Sequence, residues 1–175
     1  PKFFVMENVG GLLSPRGREV MRLVKLRAAE AGYILHIEKH CALDYGVPQM
    51  RKRVFVVGEH MRQELSRFQF PKAGILPGPT SVREAIHDLM DKEESEVPNH
   101  KADKLSPINI RRIRSISEGQ GRDSLPDNLQ LNCHKNNSSH RHLDVYGRMW
   151  WDRPAPTITA RFDSFSRGRF GHPEK

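Results

Sequence analysis

Only two of the 175 residues are cysteines, Cys41 and Cys133, so no disulfide framework can staple the chain, and a reducing compartment is the simplest setting. No run approaches the roughly 20 consecutive apolar residues of a membrane span. A basic-then-apolar leader is also missing: the sequence opens Pro1-Lys2-Phe3-Phe4, with no initiating methionine. Internal repeats and long low-complexity tracts are lacking as well. What is present is a chain with 37% hydrophobic and 29% charged residues, enough for one core, or for a partial core with a small second lobe.

The formal net charge is +8, which suits a polyanionic partner, because each phosphate neutralised by Lys or Arg releases counterions. The charge is uneven. Residues 1–60 carry +4, residues 61–105 carry −1 and residues 106–175 carry +5, and in the last segment only Lys135 and Lys175 among the cations are not arginine. Arginine offers a planar fork of donors that matches phosphates and guanine edges.

Along the chain, Phe3-Phe4-Val5-Met6 reads as a buried parallel strand ending at Glu7-Asn8 and Gly10-Gly11. Apolar residues Val20, Leu23, Val24, Ala28 and Ala31 predict an amphipathic helix over 17–31, closed by Gly32. Tyr33, Leu35 and Ile37 alternate with polar neighbours in a strand over 33–43, and Val54 to Val57 form another strand, stopped by Gly58. Strand, helix, strand, turn, strand in 58 residues describes part of an α/β sheet. Prolines 71, 77 and 79 then break the chain, and Thr80 or Ser81 caps a helix from Val82 to Met90, with Glu84 completing a capping box counted from Ser81. Residues 91–106 read as a polar, acidic loop, and the chain after Ile116 as irregular. From an apolar strand at the very start and no closing element at the end, the sequence is expected to be a piece of a longer protein.

Three constellations carry chemistry. Glu7-Asn8-Val9 sits at the carboxyl end of a strand, where open α/β sheets bind ligands, and a glutamate there suits acid–base or hydrogen-bonding work on a base. In Gln49-Met50-Arg51-Lys52-Arg53, the alternation of a strand points Arg51 and Arg53 to one side and Lys52 to the other, making a clamp for a carbonyl or phosphate. Arg153-Pro154-Ala155-Pro156-Thr157-Ile158-Thr159-Ala160-Arg161 couples a proline-stiffened backbone to hydroxyls and guanidiniums fit to grip phosphates. Taken singly, each has a plain alternative: a loop carboxylate, a solvated basic turn, an edge strand or linker. Cys133, His134, His140 and His142 match no closed zinc pattern, and no metal is expected there; with Arg141 this polar loop suits DNA contacts equally well. Met149-Trp150-Trp151 reads as core packing, and Arg111, Arg112 and Arg114 as either a phosphate-contacting or a solvated helix face.

In order and spacing, Glu-Asn-Val, Gly-Val-Pro-Gln-x-Arg-x-Arg, Arg-Pro-x-x-Thr and a terminal His-Pro resemble the DNA (cytosine-5)-methyltransferase family. A variable stretch of about ninety residues lies where that family keeps its target-recognition region. The resemblance implies an α/β fold: the remnant of a Rossmann-like methyltransferase sheet over residues 1–58, a small, mostly irregular or β target-recognition domain over 59–160, and a segment, 161–175, returning toward the catalytic domain. It implies that Glu7 bonds N3 and the amino group of a flipped cytosine, that Arg53 contacts O2, and that Arg51 helps hold the base or an adjacent phosphate. Asn8 would brace the catalytic loop, with Gln49 in structural support, while Arg153, Thr157 and Arg161 would bind DNA. The implied cofactor is S-adenosylmethionine, held mostly outside this chain, and the implied partner is double-stranded DNA. The setting would be a monomeric modification enzyme in a bacterial cytoplasm, at the nucleoid. One departure is plain: neither cysteine stands in the Pro-Cys-Gln loop that supplies the family's nucleophile, and the glycine-rich cofactor motif is missing, so this chain by itself is expected to be inactive. A transfer-RNA-modifying relative and a non-catalytic DNA-binding protein are the alternatives.

Overall fold

The opening apolar run becomes strand β1 (Phe3–Val9), followed by helix α1 (Arg18–Glu30) and strand β2 (Tyr33–Cys41). A two-residue strand, β3 (Gln49–Met50), precedes the long strand β4 (Lys52–His60). The structure, a computed structural model, describes residues 1–62, 68–101, 104–135, 144–160, 162 and 164–174. Two compact units divide the chain: Pro1–Gly46 with Arg51–Pro77, and Val47–Met50 with Gly78–Lys175.

In the first unit β4 lies between β1 and β2 and is antiparallel to both. The expectation of a buried parallel strand at Phe3–Met6 is therefore corrected twice. β1 runs antiparallel to the strand it pairs with, and no residue of it is fully buried, Val5 being 66% exposed. An apolar run specifies a strand but not its direction or its neighbours. The fully covered strand is β4, where Val54 and Val56 are 0% exposed. Burying a valine side chain contributes about 1.5–3 kcal/mol, so these two anchor the unit.

Register assigns the faces, since side chains directly opposite each other share one side of a sheet. Met6, Val54, Val56, Leu35 and Ile37 face one way and pack with Leu12, Met21 and Val24. The buried stripe of α1 is thus Met21, Val24 and Ala28, whereas Val20 and Leu23, expected on the core face, are 52% and 44% exposed. The helix carries two apolar stripes, and spacing alone cannot say which one meets the sheet. Its end follows the sequence: Gly32 takes φ +80°, a left-handed turn suited to glycine.

Gly58 does not stop β4, which runs on to His60. Its role is steric: Gly58 pairs with Phe4, and a Cβ there would come within 2.0 Å of the Phe4 ring. That ring packs edge-on to Tyr33, with centroids 5.1 Å apart.

Among its described residues, the second unit combines short helices and two two-stranded ladders with two apolar clusters. Helix α2 (Val82–Ile86) continues only as a 3-10 turn, His87–Leu89, so the regular helix is shorter than the 82–90 expected. Its cap matches the expected box with one change. Ser81 Oγ accepts from the Glu84 N–H at 3.2 Å, but the Glu84 carboxylate reaches Thr80, accepting from its N–H at 2.6 Å and its hydroxyl at 3.0 Å. Val82 packs with Trp151 and Ala155. Helix α3 (Pro107–Arg114) packs Ile113 onto Ile116, Leu125 and Tyr146. Strands β5 (Gly147–Arg148) and β7 (Arg169–Gly171) pair in parallel, as do β3 and β6 (Ala155–Pro156).

Two outcomes are expected. Gly58→Ala should destabilise the first unit by about 1–3 kcal/mol, the usual range for overpacking. Combining it with Phe4→Ala should recover part of that loss in urea midpoints, and strictly additive losses would count against the clash. Hydrogen bonds from Thr80 hold the Glu84 carboxyl below its ordinary value, so its contribution is full above the unfolded carboxyl's pKa near 4.5 and is lost as pH falls through the lowered folded value. The melting-temperature advantage of the native chain over Glu84→Gln should accordingly be present at pH 6 and vanish as the pH drops well below 4.5.

Candidate functional site

The sheet face opposite α1 carries Phe3, Val5 and Glu7 of β1, Arg53, Phe55 and Val57 of β4, and His36 and His40 of β2. After the break beyond His60, Phe68 and Phe70 return to this face with rings edge to face, centroids 4.9 Å apart. The Phe68 N–H donates to the buried Glu59 carboxylate at 2.9 Å, which also lies 3.0 Å from His36 Nε2. Phe70 packs on His40 (4.9 Å), and the Tyr45 hydroxyl bonds His40 Nδ1 (2.5 Å) and the Pro71 carbonyl (3.1 Å). Burial first, then the carboxylates of Asp44 and Glu38, push the Tyr45 phenol above its ordinary value, so it stays a neutral hydroxyl. These residues enclose a mostly apolar cleft of about 400 Å³.

The charged part of that cleft is Glu7, Arg51 and Arg53. Arg53 Nε lies 2.8 Å from Glu7 Oε1, and Arg51 Nη2 lies 3.8 Å from the same oxygen. Arg53 also donates from Nη1 to the Lys52 carbonyl at 2.9 Å. Of the described residues, none gives a hydrogen bond or ion pair to Glu7 Oε2 or to Arg53 Nη2. The result is a carboxylate held at Oε1 beside two guanidiniums on the wall of the cleft. The sequence placed these three residues in one group, and the structure brings them together. It could not give the register, Val9 opposite Arg53 and Asn8 opposite Val54, that sets the distance. Asn8 turns its Oδ1 to the Val9 N–H at 2.8 Å. His40, Tyr45, Phe68 and Phe70 were missed as cleft residues; alternation along β2 carries a signal for His40, but only once the register with β4 is known.

In the second unit the proline-stiffened motif is held to the Val47–Met50 segment. The Ala155 N–H donates to the Pro48 carbonyl (2.8 Å), the Ile158 N–H to Gln49 Oε1 (3.3 Å), and the Thr157 hydroxyl to the Met50 carbonyl (2.9 Å). The Arg153 guanidinium lies over the Trp150 ring at 4.8 Å, and Arg169 lies 4.5 Å from the same ring. Trp151 is core, as expected of this aromatic pair, and meets His172 of the His-Pro pair edge-on at 4.9 Å. Arg161, Arg141, His140 and His142 lie outside the described residues.

Several arginines have inward tasks that the sequence did not reveal. Arg112, grouped in the sequence with a phosphate-contacting or solvated face, is 9% exposed and donates to the Leu129 carbonyl and Asn109 Oδ1. Its place four residues after Ile108 aligns it with an apolar position of α3, a signal readable in hindsight. Arg148 donates to the carbonyls of Ile113, Ile116 and His172, and burial pulls its pKa below the ordinary arginine value. Arg169 pairs with Asp144 and bonds the Gly119 and Gln120 carbonyls. Among the described residues, no group of three or more His, Cys, Asp or Glu is placed to hold a metal, and no helix is long and apolar enough to cross a membrane.

The chain was compared with known proteins. A family model for C-5 cytosine-specific DNA methylases matches residues 1–170. The Type II methylase M.HgiDII of Herpetosiphon aurantiacus is 33% identical over 187 residues, spanning 100% of this chain and 50% of that protein. The Type II methyltransferase M1.BsuMI of Bacillus subtilis is 30% identical over 176 residues, spanning 98% of this chain and 39% of its own length. The chain thus covers half or less of the length of these relatives. A solved DNA modification methyltransferase encoded within an E. coli prophage aligns with a TM-score of 0.58 and 18% identity, over 99% of this chain and 56% of that one, a likeness of fold.

Proposed function

Because the chain belongs to the C-5 cytosine-specific DNA methylase family, we propose that it is the base-binding and DNA-recognition part of a bacterial Type II modification enzyme that methylates C5 of a flipped cytosine in double-stranded DNA. The observation that carries this reading is the Glu7–Arg53 pair, joined at 2.8 Å on the wall of a mostly apolar cleft with Arg51 3.8 Å from the same oxygen. A cytosine edge presents an amino donor, a ring nitrogen and a carbonyl acceptor in a row. The Glu7 carboxyl accepts from the amino group and, when it carries a proton, donates that proton to N3. Arg53 donates to O2, and Arg51 lies beside the same carboxyl oxygen as Arg53. Hydrogen bonding at N3 and O2 draws electron density out of the ring and makes C6 electrophilic toward a nucleophile. Such pockets read the Watson–Crick edge of a base taken out of the stack.

Enzymes of this family use S-adenosylmethionine, which supplies the methyl group. The cleft around Glu7 does not fit that cofactor: its charged groups are two guanidiniums, Arg51 and Arg53, against one carboxylate, a net positive setting that repels a sulfonium. We place the cofactor elsewhere in the full-length protein. Neither Cys41 nor Cys133 stands in a Pro-Cys-Gln sequence, so the nucleophile is also assigned outside this chain, which by itself is proposed to be inactive. The first 58 residues are read as the catalytic-domain portion and residues 59–160 as target recognition, with Arg153, stacked on Trp150, among the phosphate contacts. The strand β1, an end strand of the sheet with β4 on one side, is read as the seam where the rest of a Rossmann-like sheet continues.

In the full-length protein, Glu7→Gln should lower methyl transfer to cytosine by about 10²–10⁴-fold, the range for losing a positioned acid–base group, with DNA affinity changed only slightly. Tritium transfer into duplex DNA, with RNA as the alternative acceptor, measures this. Near-normal turnover by Glu7→Gln, or transfer to RNA alone, would sink the proposal, and transfer by the isolated 175-residue chain would refute its inactivity.

A further inference from the structure

We propose that Gln120 is a specificity-determining residue that reads an adenine in the major groove of the target duplex through its side-chain amide. The inference rests on the reading of residues 59–160 as target recognition and concerns the second unit alone. It starts from a loop, Gly119-Gln120-Gly121, whose main chain is bonded residue by residue. The Gly119 and Gln120 N–H groups donate to the Met149 and Ser117 carbonyls, at 3.3 and 3.1 Å. The Gln120 carbonyl accepts twice, from the Arg148 N–H at 3.0 Å and from Arg169 Nη1 at 2.8 Å, and the same Nη1 donates to the Gly119 carbonyl. The Gly121 carbonyl accepts from the Ser124 hydroxyl at 2.7 Å. Gly119 takes φ +69° and lies against Trp150, where a Cβ would come within 1.9 Å of the indole Nε1, so glycine is required there.

Such a loop presents one side chain. Gln120 is exposed between two glycines, and its backbone, already fixed, has little freedom to lose on binding. A glutamine amide carries a donor and an acceptor side by side, the complement of adenine N7 and N6 in the major groove. The surroundings favour a base edge over a phosphate. Gln120 borders a hollow of about 520 Å³ with Asp123, Ser124 and Asp144, and carboxylates repel phosphate but accept from base amino groups. The phosphate contact lies beside the hollow instead: the exposed Arg153 guanidinium sits 4.8 Å from the same Trp150 ring that Gly119 rests against. One indole thus spaces an arginine that positions the DNA backbone from an amide that reads a base.

The test uses the full-length protein and a pool of DNA duplexes randomised on both sides of a fixed cytosine, sequenced after selection by binding. The native protein should select an adenine at one position at least. In Gln120→Ala that preference should fall roughly tenfold or more at a single position, with preferences elsewhere and the salt slope of binding retained. A second measurement needs no variant: 7-deazaadenine at that position removes the N7 acceptor and should weaken binding by the native protein severalfold, while Gln120→Ala binds both duplexes alike. Native preferences at every position in Gln120→Ala would overturn the assignment, as would a native protein indifferent to 7-deazaadenine. A uniform loss of affinity over all sequences with a shallower salt slope would also overturn it, making Gln120 a phosphate contact. Selection of a sequence without methyl transfer to it would sink the functional reading and leave adenine reading standing, whereas a protein that selects no sequence would sink adenine reading itself.

Discussion

β4 is hydrogen-bonded on both sides, and the organisation of the first unit depends on that constraint. A strand with two partners cannot slip by one residue without turning every side chain to the opposite face. Val54 and Val56, sealed under α1, make such a slip costly, because it would expose two fully buried valines and bring arginines toward the core. The same alternation that buries these valines delivers Arg53, Phe55 and Val57 to the open face. Core and cleft are thus two readings of one register, and the distance from Arg53 to Glu7 is fixed by packing on the far side of the sheet.

The basic balance of the chain acquires a different meaning once its arginines are located. Arg112, Arg148 and Arg169 are largely buried and donate to backbone carbonyls, with Asp144 also pairing with Arg169. An irregular segment exposes few complete ladders, and a five-donor guanidinium can satisfy several stray carbonyls at once. Part of the positive charge is therefore structural mortar in a unit poor in regular secondary structure. Arg111, Arg114 and Arg153 remain on the surface, where a polyanion can reach them.

Much of this was legible in the sequence, and the limits have physical causes. The strands over Tyr33–Cys41 and Lys52–His60, the helix ending at Gly32 and the cap at Ser81 follow from local chemistry, and local chemistry suffices to find them. Glu7, Arg51 and Arg53 were legible as a group because motif order carried them. Direction and burial of β1 were not legible, since an apolar tetrapeptide is compatible with several neighbours. Gly58 looked like a stop and is instead a space for the Phe4 ring, a fact that belongs to the partner strand. The inward arginines were equally hidden, because a charged residue beside isoleucines looks solvent-facing until the carbonyls it serves are known.

The second unit is discontinuous, with Val47–Met50 belonging to it although the stretch Arg51–Pro77 of the first unit separates that segment from Gly78. Recombination between relatives tends to exchange contiguous stretches of gene. A graft that began at Gly78 would leave behind one of the unit's own strands, β3, and set Gln49 and Met50 against a stranger's proline motif. A unit of this design is inherited as two fragments, and a working chimera must carry both.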